Sequence, residues 1–361
     1  MKKIKALFNT VEEFRSAFAS EDKTFIYARG AEPSVEKFNQ LLARLEGKES
    51  ALSFASGVGA ISSVLFTFLK AGDHIIFHKH SYSWARYLIQ NHCQKFGITH
   101  TEIAESELPS IEKYIRPETK MIYIENPSYF FFESLSLAKV LELGKSKSIL
   151  TVLDNSYLGP ANLKPHLQKF DIILHSATKI ICGKGDALGG VICTSEKLRK
   201  VLFRDGLMSI GAVMTSTVAE LLTERMENYF ERTGKIASEM KIFFKYLKNH
   251  PKISKIHYPW DLDKTNDWIE HSDYIFPVGL LSFELSTQNQ EQVERFVDSL
   301  QLVKKGVSYG STEALIMPSV LFLKKGSQPL LPIGICRFSI GEQAASDIIN
   351  DFESALIQSK I

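Results

Sequence analysis

Short apolar runs alternate with amphipathic segments between residues 50 and 195 of the 361-residue chain. The runs have the length of buried strands: SALSF (50–54), HIIFH (74–78), MIYIE (121–125), ILTVLD (149–154), DIILHS (171–176) and GGVICT (189–194). Helical spacing of apolar residues occurs between them, at 59–72, 84–97, 108–117 and 135–147. This alternation predicts a mostly parallel sheet with helices on both faces, a fold that binds ligands at the carboxyl ends of its strands.

The pattern changes after residue 205. A long helix is predicted from Thr215 to Leu247, with a break near Gly234. A segment rich in proline and aromatic residues follows at 257–268, and then a strand at 279–286, a helix at 290–300 and strands near SYGST (308–312) and ICRFSI (335–340). This order of elements indicates a second, smaller α+β domain.

Composition and charge exclude several classes of protein. The chain is 44% hydrophobic and 23% charged, which excludes disordered and fibrous architectures. Its 43 basic and 41 acidic side chains leave a formal net charge of +2, so no strong overall field attracts nucleic acid or an anionic membrane. No run approaches the roughly 18 apolar residues of a membrane span, and the first 14 residues do not form a convincing signal peptide.

The four cysteines are widely spaced, with no CxxC motif and no spacing typical of a zinc site. They are too few for a disulfide scaffold in a chain of this length, so the sequence predicts a reducing, cytoplasmic location and no metal.

The most informative stretch is DIILHSATKIICGKGDALGGVI (171–192). A buried strand ends in Ser176, Thr178 and Lys179, and a glycine-rich return leads into the next strand. A partly desolvated lysine at a strand end becomes a nucleophilic amine that is suited to Schiff-base chemistry. Taken alone, a strand-end lysine such as Lys179 is more often a solvated lysine in a turn.

Two further strand ends support the first interpretation. Asp154 ends a buried strand, where a carboxylate can keep a cofactor's ring nitrogen protonated, although Asp-Asn-Ser is also a common turn. Gly57 and Val58 lie between a strand and a helix, where free backbone N–H groups bind phosphate.

At this point the chain resembles the Cys/Met-metabolism enzymes that depend on pyridoxal 5'-phosphate (PLP), a family that includes cystathionine γ-synthase, cystathionine lyases, methionine γ-lyase and O-acylhomoserine sulfhydrylases. The matching segments occur in order along the chain: YARGAEPSVEKFNQLLARLEG (27–47), ASGVGAI (55–61), AGDHIIFHKHSY (71–82), YIENPS (123–128), VLDNSYLGP (152–160), DIILHSATK (171–179), GDALGGV (185–191), SYGSTEALIMP (308–318) and CRFSIG (336–341).

The resemblance implies an α/β protein with the PLP-dependent transferase fold type I. It divides the chain into an N-terminal arm that contacts a neighbouring subunit (1–45), a PLP-binding domain (46–230) and a C-terminal domain (231–361). It further implies a homo-oligomer, a dimer of dimers, acting on a small amino acid. No nucleic acid or membrane partner is expected.

Roles follow from the resemblance position by position. Lys179 would hold PLP covalently and move protons, Asp154 would pair with the pyridine nitrogen, and Tyr82 would stack on the ring and assist proton transfer. The phosphate would be held by a larger group, in which the last two residues come from a neighbouring subunit: Gly57, Val58, Ser176, Thr178, Tyr27 and Arg29.

The substrate would be held mainly by Arg337, whose guanidinium suits an α-carboxylate. Ser308 lies where a further contact to that carboxylate is expected. Tyr129 replaces an asparagine of the family that contacts the PLP phenolic oxygen and the substrate. Trp84, two residues after Tyr82, is bulkier than the residue usual in the family. Val307 directly precedes Ser308, at a position where family members that act on cystathionine often have a glutamate.

The resulting hypothesis is elimination or replacement at the β or γ carbon of a sulfur- or oxygen-substituted amino acid. Two alternatives remain at this point: a PLP-binding protein that has lost turnover, and a PLP enzyme of another reaction type such as an aminotransferase. The sequence does not distinguish β from γ chemistry or elimination from replacement.

Overall fold

Seven strands form the larger of two sheets in this computed structural model, which describes residues 4–133, 137–260, 274–323 and 331–361. Their order across the sheet is β1-β7-β6-β5-β4-β2-β3. The strands are β1 (Ser50–Phe54), β2 (His74–His78), β3 (Thr99–Ile103), β4 (Thr119–Glu125), β5 (Leu150–Asp154), β6 (Ile172–Ser176) and β7 (Gly190–Thr194).

Every strand of this sheet except β7 runs in the same direction. The pairs β2–β3, β2–β4, β4–β5 and β5–β6 are parallel, whereas β7 is antiparallel to both β6 and β1. The carboxyl ends of β1, β2, β4, β5 and β6 therefore share one edge of the sheet. Asp154 at this edge is in register with Glu125 on β4 and with Leu174 on β6.

Helices cover both faces of the sheet, as the sequence pattern predicts. Alternate residues of β4 enter two separate cores, with Ile122 and Ile124 in one and Met121 and Tyr123 in the other. The helices are α1 (Val11–Ala19), α2 (Pro33–Leu45), α3 (Gly57–Phe68), α4 (Ser83–Tyr87, continued by a π-helix at Leu88–Cys93), α5 (Ala138–Lys147), α6 (Glu196–Val201, continued by a π-helix at Leu202–Met208) and α7 (Ser216–Arg225), with 3₁₀ turns at Glu105–Tyr114 and Leu167–Lys169.

The second sheet has five strands in the order β10-β11-β12-β9-β8. Three helices pack against it around a core of phenylalanines, among which the rings of Phe243 and Phe338 lie 4.6 Å apart. The elements are α8 (Tyr229–Asn249), β8 (Ile253–His257), β9 (Leu280–Leu285), α9 (Gln290–Ser299), β10 (Lys304–Lys305), β11 (Leu315–Pro318), a 3₁₀ turn (Ser319–Phe322), β12 (Ile335–Ser339) and α10 (Ala345–Ser359).

Several boundaries differ from the sequence prediction. The break in the long helix lies between Arg225 and Tyr229, and Gly234 is inside α8, so the predicted break near Gly234 is wrong. The predicted strand near SYGST is also wrong, because this stretch is a loop and the strand begins at Leu315. Strand β3 was missed because its sequence THTEI carries polar side chains, most of which are partly exposed.

Parts of two predicted segments lie outside the described residues: the start of the helix predicted at 135–147, and residues 261–268 of the proline- and aromatic-rich segment. The division into domains at 46–230 and 231–361 stays a prediction. Its second boundary falls in the first turn of α8. Among the described helices, none is both long and apolar enough to cross a membrane.

Candidate active site

A cavity of about 410 Å³ opens at the carboxyl edge of the large sheet. Residues that follow β1, β2, β4, β5 and β6 line one side, and residues of the C-terminal half line the other. The predicted site residues that meet there are Gly57, Val58, Tyr82, Tyr129, Asp154, Ser176, Thr178, Lys179 and Arg337. Trp84 and Val307 also line the cavity.

Lys179 lies just beyond the end of β6. Its Nζ donates a hydrogen bond to Ser308 Oγ at 2.8 Å and lies 5.0 Å from the centre of the Tyr309 ring. Burial, and then the nearby charge of Arg337, lower the pKa of Lys179 to about 8. Roughly a tenth of this amine is therefore neutral and nucleophilic at pH 7, far more than of a lysine with the ordinary pKa of 10.5.

Asp154 is buried and accepts three hydrogen bonds. Tyr123 OH donates to Oδ2 at 2.9 Å, and the backbone N–H and hydroxyl of Ser156 donate to Oδ1 at 3.0 and 2.6 Å. Burial raises the pKa of Asp154, while the donors from Ser156 and Tyr123 favour its ionised form. The arrangement presents a fixed buried acceptor that a ring N–H⁺ could meet.

Ser156 also connects two strand ends, because its Oγ accepts a hydrogen bond from Ser176 N at 2.7 Å. Neither Ser156 nor Tyr123 was identified from the sequence as part of the site. Ser156 could have been found from the Asp-Asn-Ser turn, in which a serine hydroxyl bonds to the preceding aspartate. Tyr123 lies inside a buried strand, and the sequence carries no signal for its role.

Glu125 is the other functional candidate that sequence reasoning missed. It is buried at the end of β4, and its Oε2 accepts a hydrogen bond from the backbone N–H of Tyr82. Burial and the adjacent Asp154 raise the pKa of Glu125 well above its ordinary value. Of these two neighbouring carboxyl groups, Glu125 is thus the one that holds a proton.

The start of α3 is the candidate phosphate site. Ser56 caps the helix by accepting a hydrogen bond from Gly59 N at 3.0 Å, and the N–H groups of Gly57 and Val58, in the first turn, have no intrahelical acceptors and could bind an anion. A Cβ atom on Gly57 would lie only 3.0 Å from the Cβ of Ser176, so glycine permits this close approach. The Thr178 hydroxyl accepts a hydrogen bond from Gly189 N at 3.1 Å.

Arg337 is buried on β12 and faces the cavity. Its Nη1 donates to Tyr129 OH at 3.0 Å, and its Nη2 donates to the carbonyl oxygens of Val307 and Ser308 at 2.6 and 3.2 Å. Among the described residues no carboxylate forms an ion pair with Arg337. Its positive charge is available to a carboxylate that enters the cavity.

Tyr82 lies between the end of β2 and α4, with its ring 6.4 Å from that of Tyr129. Burial raises the pKa of its hydroxyl, and neighbouring Tyr129 and Glu125 act in the same direction. Tyr27 and Arg29 are exposed on the N-terminal segment and are not among the residues that line this cavity. Their role in a neighbouring subunit stays a prediction.

The fold and the cavity define the class of protein. A partly buried lysine beyond a strand end with a lowered pKa, a buried aspartate and a helix start meet at the carboxyl edge of a mostly parallel sheet, and together they fit an enzyme that binds PLP. The profile described as "Cys/Met metabolism PLP-dependent enzyme" matches residues 6–357. The chain belongs to this family, and its cofactor is PLP.

Relatives in this family cover nearly the whole chain. L-methionine gamma-lyase of Fusobacterium nucleatum subsp. polymorphum is 30% identical over 97% of this chain and 90% of its own length. Cystathionine beta-lyase MetC of Bacillus subtilis (strain 168) is 29% identical over 95% of this chain and 89% of its own.

Solved structures agree with these relatives. Cystathionine gamma-lyase from Lactobacillus plantarum, complexed with L-serine, is 27% identical and superposes with a TM-score of 0.87 over 99% of this chain and 92% of that one. A putative O-acetylhomoserine (thiol)-lyase from Campylobacter jejuni with a pyridoxyl-lysine phosphate, 24% identical, has a TM-score of 0.90 over 98% and 94% of the two chains, which supports the fold.

These findings confirm the predicted fold type I and a PLP-dependent lyase or transferase of Cys/Met metabolism that acts by elimination or replacement at the β or γ carbon of an amino acid. The hypothesis of a protein without turnover rested on Tyr129. In the described site Tyr129 joins the hydrogen bonds of Arg337, and Lys179 and Asp154 line the same cavity, so the arrangement favours an active enzyme.

Proposed function

We propose that this enzyme is a C–S lyase that removes a thiol from a sulfur amino acid with a short apolar side chain. The observation that supports this proposal most directly is the apolar lining of the cavity around Lys179 and Arg337. Apart from those two residues, its wall on the substrate side is built from apolar and aromatic side chains: Trp84, Tyr129, Leu188, Val307, Tyr309, Met317 and Phe322.

The acidic residues of this lining support the same choice. The carboxyl groups among the described residues that line the cavity are Glu125 and Asp154, and both lie at the sheet edge. Cystathionine carries a distal ammonium and a distal carboxylate, and burying such charges without partners is costly. Val307, at the position before Ser308, offers neither charge nor hydrogen bond from its side chain. A methyl thioether or a free thiol suits this wall better.

Several residues of this chain act on the substrate. Arg337 binds the α-carboxylate, and its contacts with Tyr129 and with the carbonyls of Val307 and Ser308 hold the guanidinium in one orientation. Lys179 Nζ removes the proton from the α carbon, for which a pKa of about 8 is well suited. Ser308 Oγ positions that amine at 2.8 Å.

PLP, when bound, supplies the electron sink that stabilises negative charge at the α carbon. Lys179 would attach it, Asp154 would hold the proton on its ring nitrogen, and Tyr82 would pack against the ring. The start of α3 at Gly57 and Val58, together with Ser176 and Thr178, would hold the phosphate.

We also propose that the enzyme is a homo-oligomer, a dimer of dimers, in which Tyr27 and Arg29 reach the phosphate of a neighbouring subunit. The N-terminal arm supports this proposal because it exposes apolar side chains that a second copy can cover: Leu7 ahead of α1, and Val11, Phe14 and Phe18 on α1. Four buried free cysteines support a reducing, cytoplasmic location.

A substrate panel tests the function. Thiol or sulfide, 2-oxo acid and ammonia are measured with methionine, homocysteine, cysteine, cystathionine and O-acylated homoserine or serine. We expect release of methanethiol from methionine, or of hydrogen sulfide from homocysteine, with a kcat/KM at least about 10-fold above that for cystathionine. The Lys179→Ala variant should be inactive, whereas Lys184→Ala, which changes an exposed lysine of the same loop, should retain activity.

Other outcomes identify other functions. A preference for cystathionine would overturn the proposed specificity. Incorporation of an added thiol without release of a 2-oxo acid would indicate a transferase, and a 2-oxo acid that retains its sulfur would indicate an aminotransferase. A bound cofactor with no conversion of any amino acid would indicate a protein that has lost turnover.

A further inference from the structure

Arg232 is a buried arginine that does not line the candidate active site. It lies in the first turn of α8, and its side chain is almost fully buried. Among the described residues no carboxylate forms an ion pair with it. Its guanidinium instead donates to backbone carbonyl oxygens, from Nη1 to Ile180 O at 2.9 Å and from Nη2 to Ile181 O at 3.5 Å.

The two carbonyls belong to the residues that directly follow Lys179. This loop folds back on itself, because Gly183 N donates to Lys179 O at 3.0 Å. The guanidinium of Arg232 lies against the same loop at Gly183, where an added Cβ atom would fall 1.8 Å from Nη1. The loop that follows the reactive lysine thus packs directly against the guanidinium of Arg232.

The first turn of α8 also bonds to a second loop, the one that follows strand β5. Tyr229 OH donates to Pro160 O at 2.9 Å, and a Cβ atom on Gly159 would lie 2.6 Å from that hydroxyl. Pro160 belongs to the loop that follows Asp154. One turn of α8 therefore bonds to the loops behind both Lys179 and Asp154, the two groups on which the cofactor depends.

The rest of α8 belongs to the core of the smaller sheet. Met240 and Phe243 are fully buried there, and the Phe243 ring packs 4.6 Å from that of Phe338, the residue after Arg337. A helix is stiff over this length, so α8 connects the strand that binds substrate with the loop that carries the lysine.

We propose that Arg232 is a positioning residue that fixes the loop of Lys179, and with it the direction of the lysine amine. Part of this inference rests on the proposed function, because it takes Lys179 as the residue that reacts. A guanidinium suits this task because it presents several donors in a rigid plane and can bond two carbonyls at once. Loss of these donors leaves two buried carbonyls unpaired and frees the loop to adopt other conformations.

Cofactor capture by the apo-protein tests the proposal without turnover. PLP is added to apo-protein, the Lys179 adduct is trapped with borohydride at increasing times, and the modified peptide is measured by mass spectrometry. In Arg232→Met, which keeps the length of the side chain and removes its donors, we expect trapping at Lys179 to slow on the order of 10-fold. We expect kcat to fall by a similar factor while KM changes less than about threefold, because Arg337 is unaffected.

Arg232→Lys should restore part of the trapping rate, because its ammonium can bond a carbonyl but cannot span both. The matched control is Arg225→Met. Arg225 lies on α7 and bonds Asp186 Oδ2 at 3.0 Å, so it contacts the same glycine-rich return farther from the lysine. This variant should trap and turn over at wild-type rates, within about twofold.

A folded Arg232→Met protein that traps PLP as fast as wild type and keeps kcat would overturn the proposal. If Arg232→Met does not fold, Arg232→Lys decides, since trapping at the wild-type rate by this variant would overturn it as well. Slowing of Arg225→Met to the same extent as Arg232→Met would also count against a specific role. A wild-type protein that traps PLP at Lys179 but releases no thiol refutes the proposed function alone, and the trapping comparison still tests Arg232.

Discussion

The hydroxyl of Tyr129 accepts a hydrogen bond from Nη1 of Arg337 at 3.0 Å, and the guanidinium carbon lies 5.3 Å from the centre of the Tyr129 ring. The tyrosine therefore sets the orientation of the arginine and narrows the cavity at the same point. The resemblance to the family predicts an asparagine here, which can provide a hydrogen bond but not the ring. Tyr129 thus has two effects at once: its hydroxyl orients the arginine that would bind the substrate carboxylate, and its ring limits the size of the substrate side chain.

The first prediction concerns that size limit. Tyr129→Asn removes the ring, so the cavity should accept bulkier side chains. We expect the ratio of kcat/KM for S-butyl homocysteine to that for methionine to rise on the order of 10-fold. Tyr129→Phe is the matched control, because it keeps the ring and removes only the hydroxyl, and its ratio should stay near the wild-type value. An unchanged ratio in Tyr129→Asn would show that another wall limits the substrate.

The second prediction separates the two buried carboxyl groups. Burial and Asp154 raise the pKa of Glu125 well above its ordinary value, so replacing its protonated carboxyl with a neutral amide should matter little. We expect Glu125→Gln to keep kcat/KM within about threefold and Asp154→Asn to lose on the order of 100-fold or more, because only Asp154 supplies a negative charge to the cofactor. Equal losses in the two variants would indicate that Glu125 is ionised.

A further variant of Glu125 tests how much its hydrogen bond with the backbone of Tyr82 contributes to stability. Glu125→Ala leaves the backbone N–H of Tyr82 without its acceptor. An unpaired buried donor costs about 1–3 kcal/mol, so we expect this variant to unfold at lower urea concentration than Glu125→Gln. Equal urea midpoints for the two variants would show that the hydrogen bond contributes little.

The third prediction follows from the lowered pKa of Lys179, about 8 in the folded protein against an ordinary 10.5. Below pH 8 the folded apo-protein holds a charged, poorly solvated amine and is destabilised; between pH 8 and 10.5 the folded state is neutral while the unfolded state is still protonated, so stability rises with pH. Lys179→Met should therefore unfold with a free energy about 1–3 kcal/mol higher than wild type at pH 7. This advantage should shrink above pH 8.

Urea unfolding of the two apo-proteins across this pH range measures the difference. Lys184→Met serves as the control, because it makes the same substitution at an exposed lysine of the same loop. A Lys179→Met protein that is less stable than wild type at pH 7 would contradict the inference that burial of the amine is costly.

The sequence was sufficient for six of the seven strands of the large sheet and for most of the cavity. Asp154, Ser176 and Lys179 stand directly at or after buried strands, and parallel strands bring their carboxyl ends together, so their proximity follows from the pattern. The ordered family segments then supplied Tyr82 and Arg337, which lie far apart in the chain. Glu125 stands at a strand end as well, and the same rule could have identified it.

Other features depend on packing that a single sequence does not reveal. Gly234 interrupts no helix, because the flanking residues pack into the core and the whole stretch stays helical within α8. The role of Gly183 depends on the guanidinium of Arg232, which lies 49 positions away and approaches only when α8 packs on the loop. Tyr123 resembles any core aromatic until its hydroxyl is seen on Asp154.

The last prediction concerns Tyr27 and Arg29, which are exposed in the described chain. If Arg29 serves the neighbouring subunit, Arg29→Ala and Lys179→Ala proteins are each inactive or nearly so, for different reasons. A mixed oligomer contains sites in which Lys179 comes from one variant and Arg29 from the other, and these sites are complete. Random mixing of equal amounts should restore roughly a quarter of wild-type activity per chain, since half of the dimers are mixed and one of their two sites is intact.

The control replaces the second partner with the double variant Lys179→Ala/Arg29→Ala, which cannot donate an arginine. Subunits are exchanged in mild urea, and thiol release is measured after its removal. Recovery with the single variant and none with the double variant would establish that Arg29 acts across the interface. If neither mixture recovers although mass spectrometry shows mixed oligomers, each site takes Arg29 from its own chain. If Arg29→Ala alone keeps full activity, no site uses Arg29, and it is an ordinary surface charge.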